Sequence, residues 1–288
     1  MGNWYLGPTG ALQPIPAPEV GLDVSPTLIG SVHRSLGGAQ TVAVLAQPRA
    51  WPMKWPALSE DQATFLRMVG LNLVTGPLRL IDGEIRNRIG ARIAAGGSFT
   101  RDASAFNQTG GSTPTWVAVT DPPAAVLLRG AVSWQRTTTA AASLTIANSL
   151  DRVPTVAGEQ ARISMWARST TGAMQARAAV DAFDSSGSST RTTGTLTTLN
   201  TGAWTQLSVV YTPTSSQVEH APVLDVPSGQ AATTIQTTGW MLCAATQPST
   251  WSVGGGAAIV AAGSELVDTY VLIGVRGFGL TLLESRIA

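Results

Sequence analysis

The sequence predicts a mainly β protein in which an antiparallel β-sandwich of the jelly-roll type is inserted into a discontinuous β domain with one short helix. Three observations predict this class. Charged residues make up 12% of the 288 residues, about half the proportion of a typical soluble domain. Residues from about 126 to 243 show strand after strand separated by turns. Further apolar runs follow the glycines at 254–256, and one sandwich does not need them.

The N-terminal stretch, residues 1–20, contains four prolines among small residues. Proline fixes its own backbone and donates no hydrogen bond, so we expect an extended arm that lies on a neighbouring subunit instead of a packed element. Regular structure is expected to begin with a strand at 41–45. It leads into Trp51-Pro52 and Trp55-Pro56, where we expect proline to end the pairing between strands.

The clearest helix follows these Trp-Pro pairs. Ser59 is a favourable N-cap with Gln62 three residues later, acidic residues occupy the first turn, apolar residues recur at helical spacing, and Gly70 can end the helix. A strand is expected at 78–82. This first region is therefore β-helix-β, and its roughly 90 residues are too few to complete a large core.

The middle of the chain begins after a flexible junction at 94–98. The turn Asp184-Ser185-Ser186-Gly187 predicts a hairpin between two long strands. The count and spacing of strands favour a two-sheet antiparallel sandwich or jelly roll. The predicted strands are 126–134, 143–147, 162–168, 174–183, 190–198, 204–212, 218–225 and 233–243.

The last apolar runs, at 257–261, 269–275 and 279–283, have no partners in such a sandwich. They can complete the unfinished N-terminal domain. The predicted domains are therefore residues 1–92 for the N-terminal part of the first domain, 93–250 for the jelly roll, and 251–288 for the strands that complete the first domain.

Composition excludes several partners and sites. The net charge is +1 and the chain contains no basic run, so we expect no nucleic acid partner. No apolar run is long enough to span a bilayer, so we expect no membrane insertion. The first residues lack the features of a signal peptide, and we expect the chain to be made and folded in a cytoplasm. Cys243 is the single cysteine; it excludes an intramolecular disulfide and is expected to be a buried small hydrophobe.

Catalytic patterns are missing from the sequence. His33 and His220 are the two histidines, far apart along the chain, and no phosphate-binding loop, nucleophile elbow or metal-ligand spacing is present. Asp181 and Asp184, three residues apart on a strand, point to opposite faces and cannot act as a glycosidase pair without a bulge or bend. We therefore expect no enzymatic activity, no cofactor and no metal site.

One predicted strand, 162–168, separates by parity into an apolar face and a polar face that contains Trp166. An indole beside a guanidinium can stack on a sugar ring and bond its hydroxyl groups. The candidate glycan-binding residues are Trp166 and Arg168, with Arg177 and Asp181 expected on the same sheet face from the next strand; His220 is a more distant candidate. The alternative is that Trp166 packs under a loop and Arg168 pairs with Asp181. Trp204 is expected in the core or at its rim.

The order of residues near the N-terminus carries a family resemblance. It consists of Arg49-x-Trp51-Pro52, Trp55 and Leu58, the capped helix, Gly76 to Asp82, and Arg86-Asn87-Arg88. This order resembles the N-terminal domain of minor tail proteins of long-tailed phages of actinobacteria. It is similar in layout to the distal tail protein, whose belt domain forms a hexameric ring under the tail tube. The resemblance covers roughly residues 30–90 and the C-terminal strands.

The middle region carries a second resemblance, to galactose-binding-like jelly rolls of the carbohydrate-binding-module type. Its segments are 161–168, 182–187, 204–208 and Thr250-Trp251. Distal tail proteins carry such modules as insertions, so the two resemblances agree with a discontinuous first domain. Related modules often hold a structural calcium with a late acidic residue, but the matching residues here are Gly239-Trp240-Met241, and no metal is carried over.

These resemblances imply a structural virion protein without a catalytic role: a distal-tail-type ring subunit that joins the tail tube to the tail tip. They imply assembly in the host cytoplasm and a place in the virion tail. The implied partners are further copies in a hexamer, the tail tube protein, tip or baseplate hub proteins, and host cell-wall carbohydrate. Trp51 and Trp55 resemble packing anchors of the belt domain or of its ring interface. Two alternatives stay open: a stand-alone carbohydrate-binding or adhesion protein, and another minor tail component with the same domain.

Overall fold

The computed structural model describes residues 3–19, 25–26, 29–34, 40–46, 49–98, 101–126 and 128–285. The protein is mainly β, with 51% of residues in strands and 7% in helices. The chain forms two compact units. The split unit contains Asn3–Pro8, Leu12–Ile81 and the residues from Ala258 onward, and the inserted unit contains Asp82–Ala257 with Thr9–Ala11. No helix among the described residues has the length and apolar character needed to cross a bilayer.

The secondary structure elements are numbered in chain order. Those up to Ile81 are β1 (Trp4–Pro8), β2 (Gln13–Ile15), β3 (Ser25–Pro26), β4 (Ile29–Arg34), β5 (Gln40–Ala46), β6 (Arg49–Ser59), α1 (Glu60–Gly70) and β7 (Leu78–Ile81). The next are α2 (Ala91–Ala94), β8 (Phe106–Thr109), β9 (Thr115–Ala118), β10 (Gly130–Gln135), β11 (Ala142–Ile146), β12 (Val153–Pro154), β13 (Ala161–Ser169), β14 (Met174–Asp184), β15 (Ser189–Thr193), β16 (Thr197–Leu199), β17 (Thr205–Tyr211), β18 (Gln217–Val226) and β19 (Thr234–Ala244). The last are β20 (Ala257–Leu272) and β21 (Val275–Glu284).

The split unit is built on a seven-stranded sheet with the order β2-β1-β7-β20-β21-β6-β3. Its two last strands thus lie between strands from the first 81 residues. The three predicted C-terminal runs form two long strands joined at Ile273 and Gly274, where a φ of 75° at Gly274 suits a tight turn. A core of mostly aromatic and branched side chains lies on this sheet, including Trp51, Leu66 and Leu280.

The helix α1 has the predicted cap. The Ser59 hydroxyl accepts a hydrogen bond from Gln62 N at 3.3 Å, and the Gln62 side chain accepts one from Ser59 N at 3.1 Å. This reciprocal arrangement satisfies two backbone donors that a helix start leaves unpaired. The helix begins at Glu60 and ends at Gly70, which confirms the prediction.

The prediction of an N-terminal arm on a neighbouring subunit is wrong for residues 4–15. The strand β1 pairs with β2 and with β7 of the same chain, and Trp4 and Leu6 are buried in the core of the split unit. Proline is tolerated here because Pro8 is the last residue of β1 and Pro14 lies in β2, at the edge of the sheet. The burial of the apolar side chains at alternate positions of β1 favours a packed strand in spite of the prolines.

The Trp-Pro pairs do not end strand pairing, which corrects a second expectation. The strand β6 runs through Pro52 and Pro56 and pairs with β21. Glu19 N donates to Lys54 O on the other side of β6. Pro52 has the same parity as Lys54, so its nitrogen faces away from β21 and removes no hydrogen bond to it. Pro56 lies at a register shift in the pairing with β21, between Trp55 and Leu58, where proline is tolerated.

A two-stranded hairpin, β4 and β5, forms a sheet of its own among the described strands. Its register pairs Val32 with Val42 and Arg34 with Gln40. The predicted strand at 41–45 lies within β5. Residues 35–39, between the two strands, lie outside the described part of the chain.

The inserted unit is a sandwich of two antiparallel sheets, which confirms the predicted fold class. The five-stranded sheet has the order β17-β13-β19-β10-β9. The seven-stranded sheet has five strands in the order β15-β14-β18-β11-β8, and its two remaining short strands are β12, which pairs with β18, and β16, which pairs with β14. The strands β8 and β9 were not predicted because each has four residues and neither alternates clearly between apolar and polar.

The units change at Ile81/Asp82 and at Ala257/Ala258, whereas the sequence places the junctions after residues 92 and 250. Residues 82–92 pack with the inserted unit because Asn87 bonds to β19. The Asn87 side chain donates to Trp240 O at 2.9 Å and accepts from Leu242 N at 3.2 Å. Arg88 N donates to Leu242 O at 2.8 Å.

Candidate functional site

The four predicted glycan-binding residues lie on two different sheets. Trp166 and Arg168 belong to β13, in the five-stranded sheet, and Arg177 and Asp181 belong to β14, in the seven-stranded sheet. Alternate residues of both strands, such as Met165 and Val180, fill the core between the sheets. The two candidate pairs therefore lie on opposite outer faces of the sandwich. The expectation of one shared sheet face is wrong, because the neighbours of β13 are β17 and β19.

Arg168 is held by four interactions on the outer face of the five-stranded sheet. Its Nη1 donates to Asp121 Oδ2 at 2.6 Å and to Gly202 O at 3.2 Å, and its Nε donates to Gln236 Oε1 at 2.9 Å. The guanidinium carbon lies 4.5 Å from the centre of the Trp204 ring, within the range of a cation–π contact. The expected ion pair with Asp181 is wrong, because the carboxylate partner is Asp121.

Trp166 is partly buried on the same face. It lies opposite Gln206 of β17 and Thr238 of β19, next to a register shift in the pairing with β19. At Gly239 the backbone has a φ of 64°, and an added Cβ would lie 3.1 Å from the Trp166 ring and 2.6 Å from a Val126 methyl. Trp166 and Val126 thus both pack against the bare backbone of Gly239. Glycine is required there by both the conformation and the space.

Trp204 also lies on this face, where it is partly buried, whereas the sequence predicts a place in the core or at its rim. Its Nε1 donates to Asp121 O at 2.7 Å, and Arg168 covers one side of its ring. The outward residues of β17 have even numbers, as Gln206 does, and Trp204 precedes them with the same parity. That parity is visible in the sequence and could have placed Trp204 on the same outer face as Trp166.

We call the group of Trp166, Arg168, Trp204, Asp121 and Gln236 the tryptophan face. The hydrogen bond from Arg168 holds the pKa of the Asp121 carboxyl below its usual range, so the pair carries one positive and one negative charge at neutral pH. The exposures of the two charges differ strongly: the side chain of Asp121 is 62% exposed and that of Arg168 is 12% exposed. The arrangement offers indole surface, amide and carboxylate groups to a ligand.

Arg177 and Asp181 form part of a closed ionic network on the other sheet. Arg191 donates to both oxygens of Asp181, at 2.7 and 2.8 Å, and to Asp225 Oδ1 at 3.0 Å. Arg177 donates to Asp225 Oδ2 at 2.7 Å. The bonds to Asp181 raise the pKa of Arg191. Each carboxylate oxygen already accepts a hydrogen bond, so these contacts hold strands β14, β15 and β18 together.

Trp51 and Trp55, the residues expected at an assembly interface, are buried inside the split unit. Arg49 lies 4.8 Å from the Trp51 ring centre. Trp55 Nε1 donates to Pro16 O at 2.9 Å, and its ring centre is 6.4 Å from that of Phe278. Of the two roles that the resemblance implies, the geometry agrees with packing anchors of the domain. Neither side chain is accessible to another subunit, which corrects the interface assignment.

His220 and Cys243 are both buried and are not available to an external ligand. The hydroxyl of Tyr211 contacts His220 Nδ1, and burial lowers the pKa of His220 to about 3. Burial also raises the pKa of the Cys243 thiol. The side chain of His33 lies outside the described part. Within the described residues, no group of three or more His, Cys, Asp or Glu side chains is arranged to hold a metal ion.

The chain matches no protein-family model, and no curated protein matches it in sequence, so neither supports the expected distal-tail membership. The solved structures that share a likeness of fold with this chain include the following three.

The first is the enzymatically active domain of tailspike protein 4 of bacteriophage CBA120, with 17% identity, a TM-score of 0.41, and coverage of 54% of this chain and 21% of that chain. The second is the xylan-binding domain CBM22-1 of Paenibacillus barcinonensis Xyn10C, with 12% identity, a TM-score of 0.37, and coverage of 51% of this chain and 90% of that chain. The third is the arabinose-bound α-L-arabinofuranosidase MgGH51, with 17% identity, a TM-score of 0.45, and coverage of 59% of this chain and 29% of that chain. The match thus spans only a minor part of the tailspike and of the arabinofuranosidase.

Proposed function

We propose that this chain is a structural protein of a phage tail, a distal-tail-type ring subunit that joins the tail tube to the tail tip. The observation that supports the proposal is the split unit. The strands β20 and β21 lie between β7 and β6 in one sheet, although the inserted unit separates them in sequence. This layout agrees with the resemblance to distal tail proteins that carry inserted jelly rolls.

The proposed partners are further copies of the chain in a six-membered ring, the tail tube protein above it and the hub proteins of the tip below it. The proposed location is the virion tail, after assembly in the host cytoplasm. The role requires no chemical step, because function arises from interfaces that close into a ring.

We also propose that the inserted unit binds host-surface glycans through the tryptophan face. The supporting geometry is two indoles on one outer face, Trp166 and Trp204, together with the polar groups of Arg168, Asp121 and Gln236. Flat aromatic surface suits the apolar face of a sugar ring, and a few fixed polar groups suit its hydroxyls. Repetition around a ring would raise the avidity of weak individual sites.

Native mass spectrometry of the purified full chain, followed by electron microscopy of the intact phage with an antibody to the chain, tests the tail role. We expect a closed ring in solution and label at the junction of tube and tip. A strict monomer that binds glycans and is missing from the particle would instead favour a stand-alone adhesion protein. Label elsewhere in the tail would favour another minor tail component.

A further inference from the structure

We propose that Asp121 contacts the ligand directly and that it makes the tryptophan face select uncharged sugars over sugars that carry a carboxylate. This inference rests on the glycan-binding role proposed above, and it adds both a specificity residue and a ligand class to that role.

Asp121, on the loop between β9 and β10, contacts two other members of the tryptophan face. Its Oδ2 accepts the hydrogen bond from Arg168, and its backbone oxygen accepts the one from Trp204 Nε1. One loop residue therefore fixes both the guanidinium and the second indole. The other carboxylate oxygen, Oδ1, accepts no hydrogen bond from another described residue, and the backbone N–H of Asp121 itself is the one further donor to this carboxylate. An ionised carboxylate only accepts hydrogen bonds, so Oδ1 is an acceptor for sugar hydroxyls.

The exposures of the two charges decide which sugars fit. Arg168 is largely covered, with its Nε and Nη1 already donating to protein acceptors, whereas the Asp121 carboxylate is mostly exposed. A ligand that approaches the indoles thus meets a negative charge first. Taken alone, the Asp121 charge would disfavour a sugar carboxylate about 6 Å away by about 3-fold in water, and by more where water is partly excluded. The charge of the largely covered Arg168 offsets part of this penalty.

Uncharged sugar rings meet no such penalty. Their hydroxyls can donate to Asp121 Oδ1, and their apolar face can lie on Trp166. The Nη2 of Arg168, for which the described residues provide no hydrogen-bond acceptor, can donate to a ring or hydroxyl oxygen. The face therefore offers both acceptors and a donor, and its net charge of zero does not attract an anionic glycan.

Matched oligosaccharide pairs that differ only in charge test the proposal. Suitable probes are β-linked glucan and β-linked glucuronan oligomers, matched in linkage position and length. Affinities are measured by calorimetry for the full-length protein, for D121N, and for D184N. The D184N control removes the same charge from the exposed turn between β14 and β15, on the other sheet.

The wild-type protein is expected to bind the uncharged member of a pair more tightly. In D121N this preference should fall by about 3-fold to 10-fold, and in D184N it should stay unchanged. A wild-type protein that binds the uronate member equally well or better overturns the selectivity, and an unchanged preference in D121N overturns the role of Asp121. If the folded wild-type protein binds none of the probes and no isolated host-wall polysaccharide, the glycan-binding role itself fails.

A second measurement needs no variant, in case D121N loosens the loop. Salt screens repulsion between charges, so the wild-type affinity for the uronate member should rise between about 20 and about 500 mM NaCl. The affinity for the uncharged member should stay constant. Uronate affinity that falls with salt would show attraction by a positive face and would contradict the proposal.

Discussion

Arg49 and Glu284 form a two-point ion pair between residues 235 positions apart. Arg49 Nε lies 3.2 Å from Glu284 Oε2, and Arg49 Nη2 lies 3.3 Å from Oε1. The backbone N of Arg49 also donates to Oε2 at 3.0 Å. The contact joins the first residue of β6 to the last residue of β21, so it connects the two chain segments of the split unit at one end of this strand pair.

Replacing Arg49 by alanine should lower the free energy of unfolding of the split unit by about 1–2 kcal/mol, because Glu284 loses a partly buried partner and Trp51 loses its cation. Urea unfolding followed by tryptophan fluorescence measures this. The control is R92A, whose pair with Asp102 is far more exposed and should contribute little. Equal effects of the two variants would contradict a closing role for Arg49.

Changing Trp166 to alanine should reduce glycan affinity more than about 10-fold, since the stacking surface is lost. W166F keeps a flat ring and should retain part of the affinity. Calorimetry with the bound probe and a thermal melt of each variant separate binding from folding. Unchanged affinity together with a lower melting temperature would assign Trp166 to packing under the loop that carries Val126.

The backbone at Gly239 should not tolerate a side chain. G239A should lose about 1–3 kcal/mol of stability, because a Cβ would meet Val126 and Trp166 and the φ of 64° disfavours alanine. Gly187, with a φ of 85° and no atom within 4 Å of an added Cβ, isolates the backbone effect in G187A. Denaturant unfolding should therefore show a clearly larger loss in G239A. Equal losses would mean that the contact with Val126 and Trp166 relaxes freely.

Acid should destabilise the inserted unit through His220. Burial lowers its pKa to about 3 in the folded protein, against about 6.5 in an unfolded chain. The unfolded state therefore binds more protons between these two values, so this contribution is complete above pH 6.5 and is lost as pH falls, by roughly 1.4 kcal/mol per pH unit.

Urea unfolding of the wild type and of H220Q from pH 4.5 to 7.5 isolates that contribution, since carboxylates affect both proteins alike. The wild type should lose stability more steeply toward acid than H220Q. Parallel curves would show that His220 is protonated in the folded state or that the surrounding core opens readily.

Local sequence patterns determined most of the individual elements. The capping box predicts α1 because its partners lie three residues apart, and the alternation in β13 predicts which of its residues enter the core. Both patterns depend on short-range backbone geometry, which neighbouring residues specify. The glycan-binding candidates of β13 follow from the same alternation.

Contacts between residues far apart in the sequence could not be predicted from such local patterns. The sequence pairs Arg168 with Asp181, but β14 belongs to the other sheet, and the carboxylate comes from a loop residue 47 positions before Arg168. Prolines 52 and 56 predict an interrupted strand, yet both are tolerated, Pro52 because its nitrogen faces away from β21 and Pro56 because it lies at a register shift in the pairing. A short stretch of sequence does not show to which sheet a strand belongs or which side of the strand stays unpaired.

By itself, the sequence determined a mainly β chain with one capped helix, an apolar inner face on each long strand, and a first region too small to complete its own core. The tertiary structure decided which strands share a sheet, which tryptophans are buried, and that Asp121 meets Arg168 and Trp204. The reason is physical. Alternation and capping are set by bonds between near neighbours, whereas strand order and side-chain partners depend on how distant segments bury apolar surface together.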